Sequence, residues 1–279
     1  MPNFGYHLAR LNGKIVRTFY RIALPMIVRR RVDPPGSIAL DVFAYSGESA
    51  LPEQVASIRS FLQHVGRPKS FTVVSDGSYS QRSVRLLQHV DATVSVQLSS
   101  QPVPAHWPER FRDYLSTHPT GKQLALIMSL PKNGPALYVD SDVLFFPSAV
   151  DLIARARDTS VPAYYLADCQ FSGDSRLLRD SGEEAAPANT GVLLLFGKLD
   201  WSLGVSRFLG LEQEPGFFTN QTITHLTMRE NGAQPFDPVK YILQLDDQFV
   251  YGDQYAGSTL ALRHYVNPVR HKFWTSLLH

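Results

Sequence analysis

The sequence predicts an α/β fold, a mostly parallel sheet flanked by helices, on three observations. Short β-branched runs alternate with helically spaced apolar residues between positions 38 and 96, the pattern of strand-helix-strand units in a parallel sheet. An apolar run over 136–146, Ala-Leu-Tyr-Val-Asp-Ser-Asp-Val-Leu-Phe-Phe, is broken by two carboxylates one residue apart. No G-x-G-x-x-G follows the first strand and no G-x-x-x-x-G-K-[ST] occurs, which speaks against a dinucleotide fold and a P-loop.

The 279 residues, 44% hydrophobic and 19% charged, suit one large α/β domain or two small ones. A net charge of +2 is too small to argue for a nucleic-acid partner. The single cysteine, Cys169, excludes an internal disulfide and a Cys-rich zinc site and fits a reducing compartment. No apolar run reaches the length of a membrane span.

Residues 1–36 differ in character from the rest of the chain. Positions 14–31 interleave Ile15, Val16, Phe19, Tyr20, Ile22, Leu24, Met26, Ile27 and Val28 with Lys14, Arg17, Arg21 and Arg29-Arg30-Arg31. Such a segment either lies on an anionic membrane surface or packs on the body as a helix with an exposed basic end. Pro25 is expected to kink or end that helix. The arginines interrupt the apolar part and no clean small-residue cleavage site comes after it, so a signal peptide is not expected.

Asp33-Pro34-Pro35-Gly36 breaks the chain, and 38–45 reads as a buried strand. Pro52 opens a helix carrying Val55, Ile58, Phe61, Leu62 and Val65. A strand over 70–75 stops at Asp76-Gly77-Ser78, and a helix with Val84, Leu86, Leu87 and Val90 precedes a third strand over 92–96. Ligands of such sheets bind beyond the carboxyl ends of the strands, so Tyr45, Ser46 and Asp76 are candidates for holding a nucleotide base and ribose. The alternative for Asp76 is an ordinary Asp-Gly-Ser turn.

Helices are expected from Pro108 to Leu115 and over 122–130, where Lys122 at the start of the second could meet a phosphate. The strand over 136–146 comes next. In a strand, residues i and i+2 share a face roughly 7 Å apart, so Asp140 and Asp142 could face one cation together. Two buried acids are costly without a positive partner, and a hard cation such as Mg2+ or Mn2+ would suit them. The alternative is a strand ending in a turn, with both aspartates capping backbone groups.

Pro147 starts a short helix, and a strand over 161–167 ends at Asp168. The long polar stretch 170–187 is the expected lid. Asn189-Thr190-Gly191 feeds an apolar strand, in which Gly191 would permit close approach of a substrate or another backbone and Asn189 offers both a donor and an acceptor. Helices are expected over 201–209 and 220–228, the latter with Gln221 at its amino end, and a strand over 241–245 runs into Asp246-Asp247. Positions 262–274 gather His264, His271, Arg263, Arg270, Lys272, Tyr265 and Trp274, more polar chemistry than packing requires.

Together, the α/β half, the apolar strand with D-x-D, Asn189-Thr190-Gly191 and the His264-Tyr265 to Trp274 tail resemble the GT-A glycosyltransferases. The closest likeness is to the glycogenin and lipopolysaccharide galactosyltransferase group, whose motifs are D-x-D, N-S-G and H-[FY]-x-G-x-x-K-P-W. This chain has Asn267 in place of the glycine, and Arg270 to Trp274 is longer than K-P-W. The resemblance implies a GT-A (Rossmann-like) mixed sheet over 37–279, with a nucleotide-binding half over 37–146 and an acceptor half over 147–279.

It further implies transfer of a sugar from a nucleotide-sugar donor, a UDP-sugar first, to a glycan or lipid-linked saccharide. Asp140, Asp142 and His264 would hold Mn2+ or Mg2+, Asp140 and Ser141 would meet the nucleotide, and Arg270 or Lys272 would clamp the diphosphate. Asp168, Asn189 and Gln221 would face the donor sugar or acceptor. An inverting enzyme needs a carboxylate base, for which Asp168, Asp246 and Asp247 are eligible. The expected setting is cytoplasmic, at the inner face of a membrane if residues 10–31 touch one. Two alternatives are a haloacid-dehalogenase-type phosphatase, with Asp140 as nucleophile and Asp246-Asp247 or Asp253 as late metal-binding acids, and a sugar-binding scaffold without turnover.

Overall fold

The computed structural model describes residues 3–98 and 101–277; the expected segment limits at residues 1 and 279 lie outside them. The chain opens with α1 (Phe4–Ile27), β1 (Ser37–Ser46), α2 (Leu51–His64), β2 (Arg67–Ser75), α3 (Gln81–Gln88) and β3 (Val94–Gln97). Then come α4 (Glu109–Thr117), α5 (Pro119–Met128), β4 (Ala136–Val139), β5 (Val143–Phe145), α6 (Asp151–Arg155), β6 (Ala163–Ala167) and β7 (Ala188–Leu195). The last part contains α7 (Ser202–Leu209), α8 (Thr219–Glu230), β8 (Gln234–Pro235), β9 (Tyr241–Ile242), β10 (Leu262–His264) and α9 (Phe273–Ser276).

Seven strands form one sheet in the order β3-β2-β1-β4-β7-β6-β8. β1 pairs in parallel with β2 and β4, and β2 with β3, whereas β7 runs antiparallel to β4 and β6. This is the expected mixed, mostly parallel sheet. Both its faces are covered, as the near-continuous apolar strands require. Val42, Ala44, Leu137, Val139 and Val192 enter one core, while Phe43, Ala136, Tyr138 and Leu193 enter the other, the period-two alternation of a strand. The strand order reverses about β1, so the carboxyl ends of β1 and β4 border a crevice of the kind that binds ligands in open α/β sheets.

The run 136–146 is two strands and not one. β4 leaves the large sheet at Val139, Asp140-Ser141-Asp142 turns with Val143 N–H donating to Asp140 O at 3.3 Å, and β5 joins a small sheet ordered β5-β10-β9. The two aspartates therefore do not share a strand face. They converge because the turn is clamped on both sides: Asp140 N–H donates to Gly191 O at 2.8 Å and Tyr265 N–H donates to Asp142 O at 2.9 Å. β10 lies antiparallel to β5 with His264 opposite Val143, which brings His264 to the same turn.

Helix α1 runs through Pro25, which sits in its last turn, where the helix is closed by Val28 N–H donating to Leu24 O at 3.0 Å. It packs on the body through Leu24 and through Tyr20, whose ring lies 5.1 Å from that of Trp274. Among the described residues no helix is long and apolar enough to cross a membrane.

The stretch 170–187, expected to be a lid, is pinned down. Arg207 grips Glu183 at 2.6 and 3.0 Å, Asp174 N–H donates to Thr222 Oγ1 at 2.6 Å, and Arg229 donates to Gly182 O at 2.8 Å. These bonds tie it to α7 and α8, leaving Gln170 and Ser172 at the crevice.

Candidate active site

A cleft of about 500 Å3 opens at the carboxyl ends of β1 and β4. Its floor is the Asp140-Ser141-Asp142 turn, and its walls bear Tyr45, Gln123, Asp168, Asn189, Gln221, His264 and Arg270. Asp140, Asp142 and His264 each offer a ligand atom, all within 4.8 Å of one another. His264 Nε2 lies 3.1 Å from Asp142 Oδ1 and 3.7 Å from Asp140 Oδ2. His264 comes from 122 residues beyond Asp142 in the chain.

Each of the three side chains is held through its other polar atom. Asp140 Oδ1 accepts from Tyr138 Oη at 2.7 Å and Gln123 Nε2 at 3.0 Å, and Asn220 Nδ2 in turn donates to Gln123 Oε1 at 2.9 Å. Asp142 Oδ2 is paired with Arg270. Asn189 spans the third side: its Nδ2 donates to Asp168 Oδ2 at 3.2 Å, and its Oδ1 accepts from Gly191 N–H at 2.8 Å and faces His264 Nδ1 at 3.0 Å. With the amide oriented this way, His264 Nδ1 donates to Asn189 Oδ1 and Nε2 faces the carboxylates. Gly191 makes the contact feasible, because a Cβ there would overlap the imidazole.

Charge and burial set the protonation of this cluster. Burial would lift the Asp142 carboxyl, but His264 and Arg270 outweigh it and carry it down to about 2. Asp140 is raised, burial being the chief cause, with Asp142 adding to it against the pull of His264. For His264 burial works downward, yet Asp142 and Asp140 hold it above its ordinary value. Tyr45 is pushed up to about 12, first by burial and then by Asp76, and its buried hydroxyl has no partner among the described residues.

The remaining expected site residues divide. Ser46 lines the cleft with its hydroxyl engaged by Gln54 Oε1 at 2.7 Å and Tyr79 Oη at 2.8 Å. Asp76 is exposed at the end of β2, outside the cleft lining, and its Oδ1 accepts from Ser78 N–H and Oγ at 2.8 and 2.6 Å. Lys122 does not line the cleft; Thr120 and Gln123 of the same helix do. Gln221 Nε2 donates to Asp168 Oδ2 at 3.1 Å and to Ser172 O at 2.7 Å.

Two expected residues belong to the interior instead. Asp247 is fully buried against Arg263 at 2.7 Å, with Asp253 on the other side of the same guanidinium. Lys272 is equally buried, 3.5 Å from Asp247 and donating to Val250 O at 2.8 Å. Neither lines the cleft, because each is held by a buried opposite charge. Asp246 accepts from Tyr255 Oη at 2.7 Å and is likewise absent from the cleft lining. The phosphatase alternative loses its late acids by the same arrangement, since Asp247 and Asp253 surround Arg263 and not Asp140. Of the three eligible bases only Asp168 reaches the cleft.

Sequence reasoning missed Gln123, Tyr138 and the exposed pair Phe217 and Phe218 at the cleft wall. Tyr138 was open to discovery, since it stands two residues before Asp140 at the end of the same strand. Gln123, a polar residue preceding Leu-Ala-Leu-Ile-Met in a buried helix, carried a weaker signal.

No protein-family model and no curated protein matches the sequence. Solved structures do match. The chain is similar to galactosyltransferase LgtC, solved in complex with donor and acceptor sugar analogs, at 17% identity and a TM-score of 0.56 over 85% of this chain and 94% of that one. It is similar to glycosyltransferase GlyE of Streptococcus pneumoniae at 14% identity and 0.55, over 88% of this chain and 61% of that one. A third likeness is to mouse xyloside xylosyltransferase 1, at 13% identity and 0.51 over 84% and 99%. Likeness at these identities establishes the fold, which is GT-A.

Proposed function

We propose that this chain is a metal-dependent glycosyltransferase that moves a sugar from a nucleoside-diphosphate sugar, a UDP-sugar first, to a glycan or lipid-linked saccharide. The observation that carries the proposal is the convergence of Asp140, Asp142 and His264, with Arg270 behind them, at the carboxyl ends of β1 and β4. The names of the structural neighbours support the same class.

The donor set fits a hard to borderline divalent cation, Mn2+ or Mg2+: two carboxylates and one imidazole whose free nitrogen is aimed at them. Bound there, the cation would supply Lewis-acid stabilisation to the departing nucleoside diphosphate. Arg270, half-exposed beside Asp142, presents a planar fork suited to a phosphate. Tyr45 contributes an unpartnered hydroxyl and an aromatic face at the end of β1, where a base or ribose would lie. Asp168 accepts two amide donors on Oδ2 and the Gln170 N–H on Oδ1 at 3.3 Å; we read it as the anchor that orients Asn189 and Gln221 and not as a base. Phe217 and Phe218 offer exposed rings to an acceptor sugar.

A thermal-shift screen of nucleotide sugars with and without Mn2+ tests the proposal. Stabilisation by at least one donor only when the metal is present is expected, by mass action. A flat response across all donors would contradict it.

A further inference from the structure

Helix α1 carries two unlike faces. Inward, Ala9, Gly13 and Leu24 are buried, and Gly13 lies so near the His271 carbonyl that a Cβ would overlap it. The helix is thus held against the segment bearing Arg270. Outward stand Phe4, Leu8, Leu11 and Ile15, then Phe19, Ile22 and Met26, all between 45% and 73% exposed. At about 100° per residue they fall in one sector about 80° wide, and the stripe runs about 33 Å. A continuous apolar stripe of this size facing water marks an interaction surface.

Charge selects the partner. α1 contains no Asp or Glu. Exposed Arg10, Lys14 and Arg21 line one edge of the stripe, and Arg29-Arg30-Arg31 follow its carboxyl end. Arg17 turns to the body, pairing with Glu53 at 2.5 Å. The α1 of a second copy would bring no acidic residue to meet this cationic edge, whereas an anionic lipid surface complements both the stripe and its edge. The exposed Phe249 and Tyr251 extend the surface, linked to α1 by Asn3 Nδ2 donating to Phe249 O at 3.1 Å and Asn12 Nδ2 donating to Tyr251 Oη at 3.3 Å.

We propose that the outward face of α1 lies in the surface of an anionic phospholipid membrane, with the apolar stripe at the acyl boundary and Arg10, Lys14 and Arg21 at the headgroup phosphates. Arg270 lines both the cleft and a smaller cavity bordered by Tyr6, Arg10 and Lys14, so one side chain lies between the helix that meets the membrane and the cleft.

Vesicle flotation of the full chain tests this, with phosphatidylcholine alone and with phosphatidylcholine mixed with phosphatidylglycerol. The protein should float with the mixed vesicles only and be released as salt rises. The double variant Phe19→Asp/Ile22→Asp should not float. Replacing Arg10, Lys14 and Arg21 by Gln should lower partitioning about a hundredfold, at about fivefold per cation. Both variants should melt like the parent, since the altered side chains face solvent. Equal recovery on the two vesicle types, no flotation, or a dimer of the parent that Phe19→Asp/Ile22→Asp dissociates would overturn the proposal.

Discussion

Replacing Asn189 by Ala removes a side chain that touches His264, one of the three proposed metal ligands, without being one itself. Its Oδ1 serves His264 Nδ1 at 3.0 Å and Gly191 N–H at 2.8 Å. Without it the imidazole loses the partner that fixes its tautomer and orientation. Loss of such an outer partner lowers metal affinity about 10- to 100-fold, or about 1.4 to 2.8 kcal/mol. The Gly191 N–H, buried beneath the ring, is also left unpaired at a cost of about 1–3 kcal/mol in stability. Calorimetric titration of Mn2+ into protein and UDP reads the first effect, and urea denaturation reads the second. If Asn189→Ala loses stability while its metal affinity stays at the parent value, Asn189 only caps the start of β7 and the reasoning about His264 is wrong.

Arg263→Met should cost about 3–5 kcal/mol in urea denaturation, because it takes the cation away from buried Asp253 and leaves Asp247 to Lys272 at 3.5 Å. Asp253 should also shape acid stability: burial lifts its carboxyl, but Arg263 and Ser276 outweigh this and hold it below 3.8. Its contribution is therefore complete above that value and lost as pH falls through the lower folded-state value, and Asp253→Asn should remove this part of the acid transition. Cys169 is an exposed residue, yet its thiol is pushed up to about 11 by partial burial of the sulfur and then by Asp168; its alkylation by iodoacetamide near neutral pH should be much slower than that of a free thiol.

The sheet was legible because its strands are apolar and short and its helices have clear spacing, and the carboxylates of Asp140 and Asp142 stood out as acids within such a run. Their true geometry was hidden. Whether Val139 to Val143 continues as a strand or turns depends on Gly191 and Tyr265, which clamp the turn from far along the chain. Long-range pairing also reassigned Asp247 and Lys272: each belongs to a charged stretch that looks like ligand chemistry, yet Arg263 and Lys272 both pair with Asp247 in the core. Asn189 was found by its motif but stands behind His264, a distinction that only the approach of β10 to the start of β7 makes visible. In α1 the basic spacing was plain, but which face met the body was decided by Gly13 and Tyr20.

Asp140, Asp142 and His264 would hold the proposed cation, which would supply Lewis-acid stabilisation to a departing nucleoside diphosphate. The most direct measurement is release of nucleoside diphosphate from the best-binding nucleotide sugar with Mn2+ present, for the parent and for Asp142→Ala. The account predicts release by the parent, none after chelation of the metal, and none from Asp142→Ala. Undiminished release by Asp142→Ala, or release of inorganic phosphate from simple phosphomonoesters with an aspartyl phosphate trapped at Asp140, would contradict it.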